Sequence, residues 1–278
     1  MDRKIIFLDI DGTLTVAGSN VPPESALKAI RAAQDKGHLV FLCTGRNYDM
    51  LRPLLSYGFD GVVASAGGYI RLGDEVIYDC PMTKEQQQLV LNTLEVNGIF
   101  RTVECLNASF TDDGFKQFLE EHAGERDNSE LLRWRRQLEE DLNIRSMSEY
   151  TGQQVYKVVM MCPDWERLKK AKEILEHEFL FCIQDADAYG IINGEVINRK
   201  FDKGQAVKRV CEYLHIPLQD SIGFGDSMND KEMMETVGYS VCMENGSESL
   251  KRLADEICPR VEQDGLYQAF LKLGLIVN

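Results

Sequence analysis

Nowhere in the 278 residues is there a run approaching the ~20 consecutive apolar positions that a membrane-spanning helix requires. Positive charge is also scarce: 31 Lys and Arg stand against 45 Asp and Glu, a formal net charge of -14. Nucleic acid and anionic membrane surfaces both demand a basic footprint, so neither is expected as a partner. An anionic small molecule would have to be held locally, by a cation or by a few placed Lys and Arg side chains. Cys-x-x-Cys pairs are missing. The eight cysteines are scattered, most within apolar runs such as Val40-Phe41-Leu42-Cys43, which reads as buried reduced thiols in a cytoplasmic protein, not a disulfide frame or a zinc site. His38, His122, His177 and His215 show no metal-ligand spacing. The opening Met1-Asp2-Arg3-Lys4 lacks the length and small-residue cleavage site of a signal peptide. No internal repeat, low-complexity tract or Gly/Ser linker interrupts the chain. What is present, 44% hydrophobic and 27% charged residues, fits a soluble globular protein long enough for two domains.

The first third alternates strand and helix. Ile5 to Leu8, Leu39 to Cys43 and Gly61 to Ala64 are short continuous apolar runs, as strands buried on both faces of a parallel sheet must be. A helix opens at Pro22-Pro23-Glu24 and closes at Gly37, and a second is expected over Asn47 to Ser56. Tyr69 to Leu72 and Glu75 to Tyr78 form a hairpin at Gly73-Asp74. The last third repeats this grammar, with a strand over Ser221 to Phe224, another over Tyr239 to Met243, and helices near Gly204, Asp230, Ser247 and after Gly265. Between them lie polar helices over Lys84 to Val96, Ser129 to Asp141 and Trp165 to His177, mixed with strands such as Val155 to Met161 and Leu180 to Gln184. The expectation is an α/β, Rossmann-like parallel-sheet core from residues 1–82 and 200–278, interrupted by an inserted α+β domain over 83–199. Trp134 and Trp165 on the polar helices read as packing residues, and Met160-Met161 as core.

Reactive crevices of parallel sheets lie beyond the carboxyl ends of the strands. Four polar segments fall there. Asp9-Ile10-Asp11-Gly12-Thr13 follows the first strand; its two carboxylates can serve one pocket, one as nucleophile or metal ligand and the other handling protons. Alone, the same letters also suit a turn or a helix cap. Thr44-Gly45-Arg46 follows the second strand and offers a hydroxyl and an unhindered amide at a helix start, an anion site or simply an N-cap. Lys203 enters a later helix and is either solvated or the point charge that a phosphate site needs here. Gly225-Asp226-Ser227-Met228-Asn229-Asp230 places two carboxylates and an amide at a strand end, suited to a hard cation or to a cap.

Taken together and in order, these segments resemble the four motifs of the haloacid dehalogenase superfamily. More narrowly they resemble the Cof-type phosphatases, which carry a large α+β cap of class IIB between the second and third motifs. The placement of the insertion, the Leu42-Cys43-Thr44-Gly45-Arg46 segment, and the tail Val241-Cys242-Met243-Glu244-Asn245-Gly246 with Ala254-Asp255-Glu256 all fit that subgroup. The resemblance implies a phosphatase acting on a small phosphorylated metabolite, with sugar phosphates the usual range. Asp9 would form an aspartyl-phosphate, and Asp11 would act as general acid and then base. Mg2+ would be held by the Asp9 carboxylate, the Asp11 backbone carbonyl and Asp226, supported by Asp230. Thr44, Gly45, Lys203 and Asn229 would hold the phosphoryl oxygens, and the inserted domain would select the substrate. Protonation of Asp11 at attack calls for surroundings that favour its neutral form.

Two rivals stay open: a phosphomutase of the same superfamily, resembling phosphomannomutase, and a non-catalytic Mg2+-binding signalling module like a receiver domain. Two positions depart from the Cof-type pattern. Ala66 stands where an Asn is common after the third strand, and Glu244 where a Gly often precedes Asn245.

Overall fold

Ile5–Leu8 forms strand β1, with all four side chains fully buried, as a continuous apolar run inside a parallel sheet must be. In the computed structural model, residues 3–114, 144–183 and 192–277 are described. Helix α1, Glu24–Asp35, turns Ala26, Ala29, Ile30 and Ala33 inward at helical spacing and returns the chain to β2, Leu39–Cys43. Parallel pairing sets Ile5 beside Leu39, and β3, Gly61–Ala64, joins on the far side of β2. The helix expected over Asn47 to Ser56 is shorter. Asn47 Oδ1 accepts from the Met50 amide at 3.1 Å, one 3-10 turn covers Asp49–Leu51, and only Arg52–Leu55 is α-helical (α2). The hairpin is as expected: β4, Tyr69–Leu72, pairs antiparallel with β5, Glu75–Asp79.

Two compact units emerge: Met1–Arg46, Leu51–Asp79 and Phe201–Asn278 form one, Asn47–Met50 and Cys80–Lys200 the other. The second unit opens with α3, Lys84–Val96, started by a reciprocal capping box between Thr83 and Gln86. Strands β6 (Phe100–Cys105), β7 (Ser109–Thr111), β8 (Ile144–Ser146) and β9 (Val155–Cys162) follow. Then come α4 (Trp165–Leu175), β10 (Phe179–Ile183) and β11 (Ile192–Asn198). The sheet runs β10-β11-β9-β6-β7-β8, and Val90, Leu94, Val103, Val158, Met160, Leu168 and Val196 form its core. Met160 and Met161 are both buried, whereas Trp165, in the first turn of α4, is 59% exposed and packs far less than expected. The expected helix over Ser129 to Asp141, with Trp134, and the strand end at Gln184 lie outside the described residues.

This sheet also buries charge. Lys157 on β9 stands opposite Glu104 on β6, with its ammonium 3.2 Å from Glu104 Oε2 and bonded to Glu195 Oε1 on β11. All three side chains are buried. Two carboxylates thus share one ammonium.

The chain re-enters the first unit through α5, Lys203–Tyr213, and β12, Ser221–Gly225. After α6 (Lys231–Met234) come β13 (Tyr239–Met243), α7 (Glu248–Lys251), a short β14 (Glu256–Cys258) and α8 (Gly265–Lys272). The completed sheet runs β14-β13-β12-β1-β2-β3-β4-β5, parallel from β14 through β3. This is the expected α/β class, a Rossmann-like parallel core interrupted by α+β structure. Connections leave β1 toward β2 on one side and arrive at β12 on the other, which opens a crevice beyond its carboxyl end. All eight cysteines are free thiols, six of them buried. Among the described residues, no helix is long and apolar enough to cross a membrane.

Replacing Lys157 with Met is expected to cost about 3–5 kcal/mol, because two buried carboxylates lose their counter-charge. Urea unfolding checks this, and a loss below about 1 kcal/mol would show that the two acids find other compensation.

Candidate active site

Asp9 continues the β1 ladder, its amide donating to Phe224 O of β12 at 3.0 Å. The main chain then coils: the amides of Thr13, Leu14 and Thr15 all donate to Ile10 O. The turn is therefore built by backbone, which leaves both aspartate side chains for other work. Gly12 sits at φ +87°, and a Cβ there would lie 2.3 Å from Asp226 Oδ2. Only glycine lets the loop approach that carboxylate so closely.

Lys203, the first residue of α5, extends its buried ammonium into the crevice. Its Nζ donates to Asp9 Oδ1 at 2.7 Å, Asp230 Oδ1 at 2.6 Å and Asn229 Oδ1 at 3.2 Å. Burial alone would lower the lysine pKa, but the carboxylates of Asp230 and Asp9 outweigh it and hold Lys203 well above the ordinary value. Asp230 works with both oxygens, since its Oδ2 accepts from the amides of Asp226 and Ser227 at 3.0 and 3.1 Å. Asp226 is thus no helix cap; Ser227 caps the turn Met228–Asp230 instead.

Asp9, Asp226 and Asp230 are buried, and one oxygen of each lies within 4.8 Å of the others. Burial is the main cause that lifts Asp9 to about 8, with Asp230 adding to it and Lys203 opposing. Asp226 is raised well above its ordinary value, by burial first and then by the charges of Asp9, Asp230 and Asp11. Asp226 Oδ1 is buried with no hydrogen-bond partner. An orphaned carboxylate oxygen in an all-oxygen cluster short of positive charge fits a hard divalent cation.

The surroundings of Asp11 differ from those expected. Arg46, 1% exposed, donates Nη2 to Asp11 Oδ1 at 2.6 Å and Nε to Oδ2 at 2.8 Å, and Gly18 N adds a third bond at 2.8 Å. Donors surround a carboxylate for which conditions favouring a bound proton were expected. Arg46 also donates to Asn20 Oδ1 at 2.6 Å, tying the Gly18–Asn20 segment to the same carboxylate. In the sequence Arg46 stands out only as part of a motif; a cation two residues past Thr44 in a strongly acidic chain is the available signal.

Thr44 and Gly45 lie just past the end of β2, but no helix starts beside them: a 3-10 turn begins at Asp49 and α-helix only at Arg52. Thr44 Oγ1 accepts from Arg46 N at 3.1 Å, so its own proton remains available to donate. The Ser65-Ala66 turn braces this loop: Ser65 N bonds Arg46 O, and Ala66 N bonds Thr44 O. Ser65 and Ala66 hold φ of 50° and 56°. Ala66 thus carries the left-handed strain without the short polar side chain that eases it in Asn.

The haloacid dehalogenase-like hydrolase family matches residues 6–270, and the chain belongs to that family. It is therefore a hydrolase, and the membership drawn from its four motifs is borne out. The Bacillus subtilis (strain 168) protein YkrA is 28% identical over 280 residues, covering 99% of this chain and 100% of that protein. The 5-amino-6-(5-phospho-D-ribitylamino)uracil phosphatase YwtE of the same organism is 27% identical over 282 residues, covering 95% of each. Among solved structures, the HAD subclass IIB sugar phosphatase BT4131 superposes with a TM-score of 0.76 at 21% identity, covering 98% of this chain and 100% of that one, and so shares its fold.

A group whose folded pKa is raised contributes stability that is complete below its unfolded pKa and is lost as pH rises through the folded value. For Asp9 that window runs from 3.8 to about 8 in the metal-free protein. A divalent cation favours the ionised carboxylates, so the rise in Tm on adding Mg2+ should grow from about pH 6 to about pH 8. Thermal melts with and without Mg2+ measure it, and a shift independent of pH would count against the cluster as the binding site.

Proposed function

We propose that this hydrolase is a Mg2+-dependent phosphatase of small phosphorylated metabolites, chiefly sugar and sugar-alcohol phosphates, working through an aspartyl-phosphate on Asp9. The observation that carries the proposal is the Lys203 ammonium bonded to both Asp9 and Asp230 beside Asp226. A carboxylate nucleophile facing an anionic ester needs a fixed positive charge beside it, and Lys203 places one against Asp9.

Asp9 attacks phosphorus while the bond to the leaving oxygen breaks, and Asp11 delivers a proton to that oxygen. Asp11 then takes a proton from water, whose oxygen attacks the same phosphorus and releases Asp9 and inorganic phosphate. The Arg46 and Gly18 donors on Asp11 suit the second half, in which the carboxylate must accept. The Asp9 and Asp226 carboxylates and the Asp11 carbonyl would hold Mg2+, with Asp230 steadying the Asp226 backbone. When bound, the cation supplies charge that offsets the repulsion between nucleophile and phosphoryl group. Thr44, Gly45, Lys203 and Asn229 would orient the phosphoryl oxygens. All three Lys203 protons already have acceptors, so a phosphoryl oxygen would replace the longest contact, to Asn229.

Residues 83–199 would select the substrate. The resemblance to Cof-type phosphatases and the phosphorylated ribityl chain named for YwtE favour a phosphate on a polyhydroxylated carbon chain. Eight free thiols fit a reducing compartment, and the cytoplasm is the proposed site of action.

Asp9→Asn is expected to lower Mg2+-dependent release of phosphate from p-nitrophenyl phosphate on the order of a thousandfold or more. Full activity in that variant would remove Asp9 as nucleophile. A panel of phosphorylated sugars and sugar alcohols then tests the substrate class, and isomerised product without free phosphate would identify a mutase instead.

A further inference from the structure

Beyond the four motif segments, the loop after β13 reaches back to the metal-facing side chain. Asn245 Nδ2 donates to Gly12 O at 2.9 Å and, more weakly, to Asp226 Oδ2 at 3.4 Å. The same loop grips Asp226 through the backbone, Ser247 N donating to Asp226 O at 2.8 Å. One short segment therefore fixes both the main chain and one carboxylate oxygen of Asp226, and joins them to the turn that follows Asp9 and Asp11. With Oδ2 occupied, the buried Oδ1 is the oxygen without a hydrogen-bond partner.

We infer that Asn245 is a positioning residue that holds Asp226 in its ligating orientation against the Gly12 turn and thereby sets the affinity of the site for a divalent cation. The inference rests on the metal-dependent reading above. An amide suits the position because it donates without adding charge. A lysine there would compete with the cation, and a carboxylate would repel Asp226 and the Gly12 carbonyl. The neighbouring departure at Glu244 takes no part: its half-exposed carboxylate pairs with Arg260 at 3.5 Å on the outer side of the loop.

The test is calorimetric titration of the substrate-free protein with MgCl2. Asn245→Leu, close in size but without a donor, should raise the Mg2+ Kd about tenfold, which corresponds to about 1.4 kcal/mol. Asn245→Ala serves as the companion if leucine does not fit, and Asn245→Gln, which keeps the amide, should recover part of the affinity. Glu244→Gly should leave Kd unchanged. Circular dichroism and the metal-free Tm report whether each variant is folded, which a purely structural role would alter without moving Kd. A Kd within twofold of wild type in a folded Leu or Ala variant overturns the inference. Because Asp9→Asn is assayed separately, an inactive Asp9 variant beside an unaffected Kd at position 245 refutes only this inference. Failure of the wild-type protein to bind Mg2+ refutes the metal reading itself.

Discussion

A single buried ammonium holds the candidate site together. Lys203 Nζ meets Asp9 from the end of β1 and Asp230 with Asn229 from the turn after β12, so three chain segments far apart in sequence share one charge. Removing two carboxylates from water is expensive, and it is tolerated here because the lysine neutralises part of their charge and donates to three geometrically distinct acceptors. The compensation is incomplete. Burial pushes both Asp9 and Asp226 toward their neutral forms, with Asp230 adding to each and Asp9 adding to Asp226. A site left short of positive charge in this way suits a cation, and the fold confines that deficit to the carboxyl ends of β1 and β12.

The second constraint is the division of labour between the two aspartates of the first motif. Only one residue separates them, yet their partners differ entirely: Asp9 meets a lysine within the carboxylate cluster, and Asp11 meets the fork of Arg46. An arginine fixes a carboxylate in two dimensions through its planar donors, whereas a lysine adds a point charge that several groups can share. The pairing thus gives Asp11 a defined orientation and leaves Asp9 in a more adaptable one. The Gly18–Asn20 segment belongs to this arrangement, since Arg46 and Asp11 both bond to it.

The second unit also buries charge, but in a different manner. Glu104, Lys157 and Glu195 lie on neighbouring strands of one sheet, their placement set by strand register. In the first unit the buried charges sit at strand ends and on loops, where the chain can bend to bring them together. The sheet arrangement is set by register, whereas the strand-end arrangement needs glycines such as Gly12, and main-chain hubs such as Ile10 O, to hold its shape.

Much of this was legible in the sequence. The apolar runs of β1, β2 and β3 follow from burial on both faces, β12 and β13 keep the pattern with one buried serine each, Ser221 and Ser240, and the strand ends are marked where polarity returns. Asp9, Asp11, Thr44, Lys203, Asp226, Asn229 and Asp230 could be read because strand ends of a parallel sheet open on one edge. The shortened helix after β2, the short strand β14 and the exposure of Trp165 could not, because each depends on contacts that local pattern does not encode. Nor could the partners of Asp11 and Asp226. Arg46 lies 35 residues from Asp11, and Asn245 lies 233 residues from Gly12. The sequence by itself determined which residue types stand at the ends of which strands, because periodicity and polarity are local. Only the tertiary structure decided which of them touch, because hydrogen bonds across the sheet edge depend on strand order and loop path.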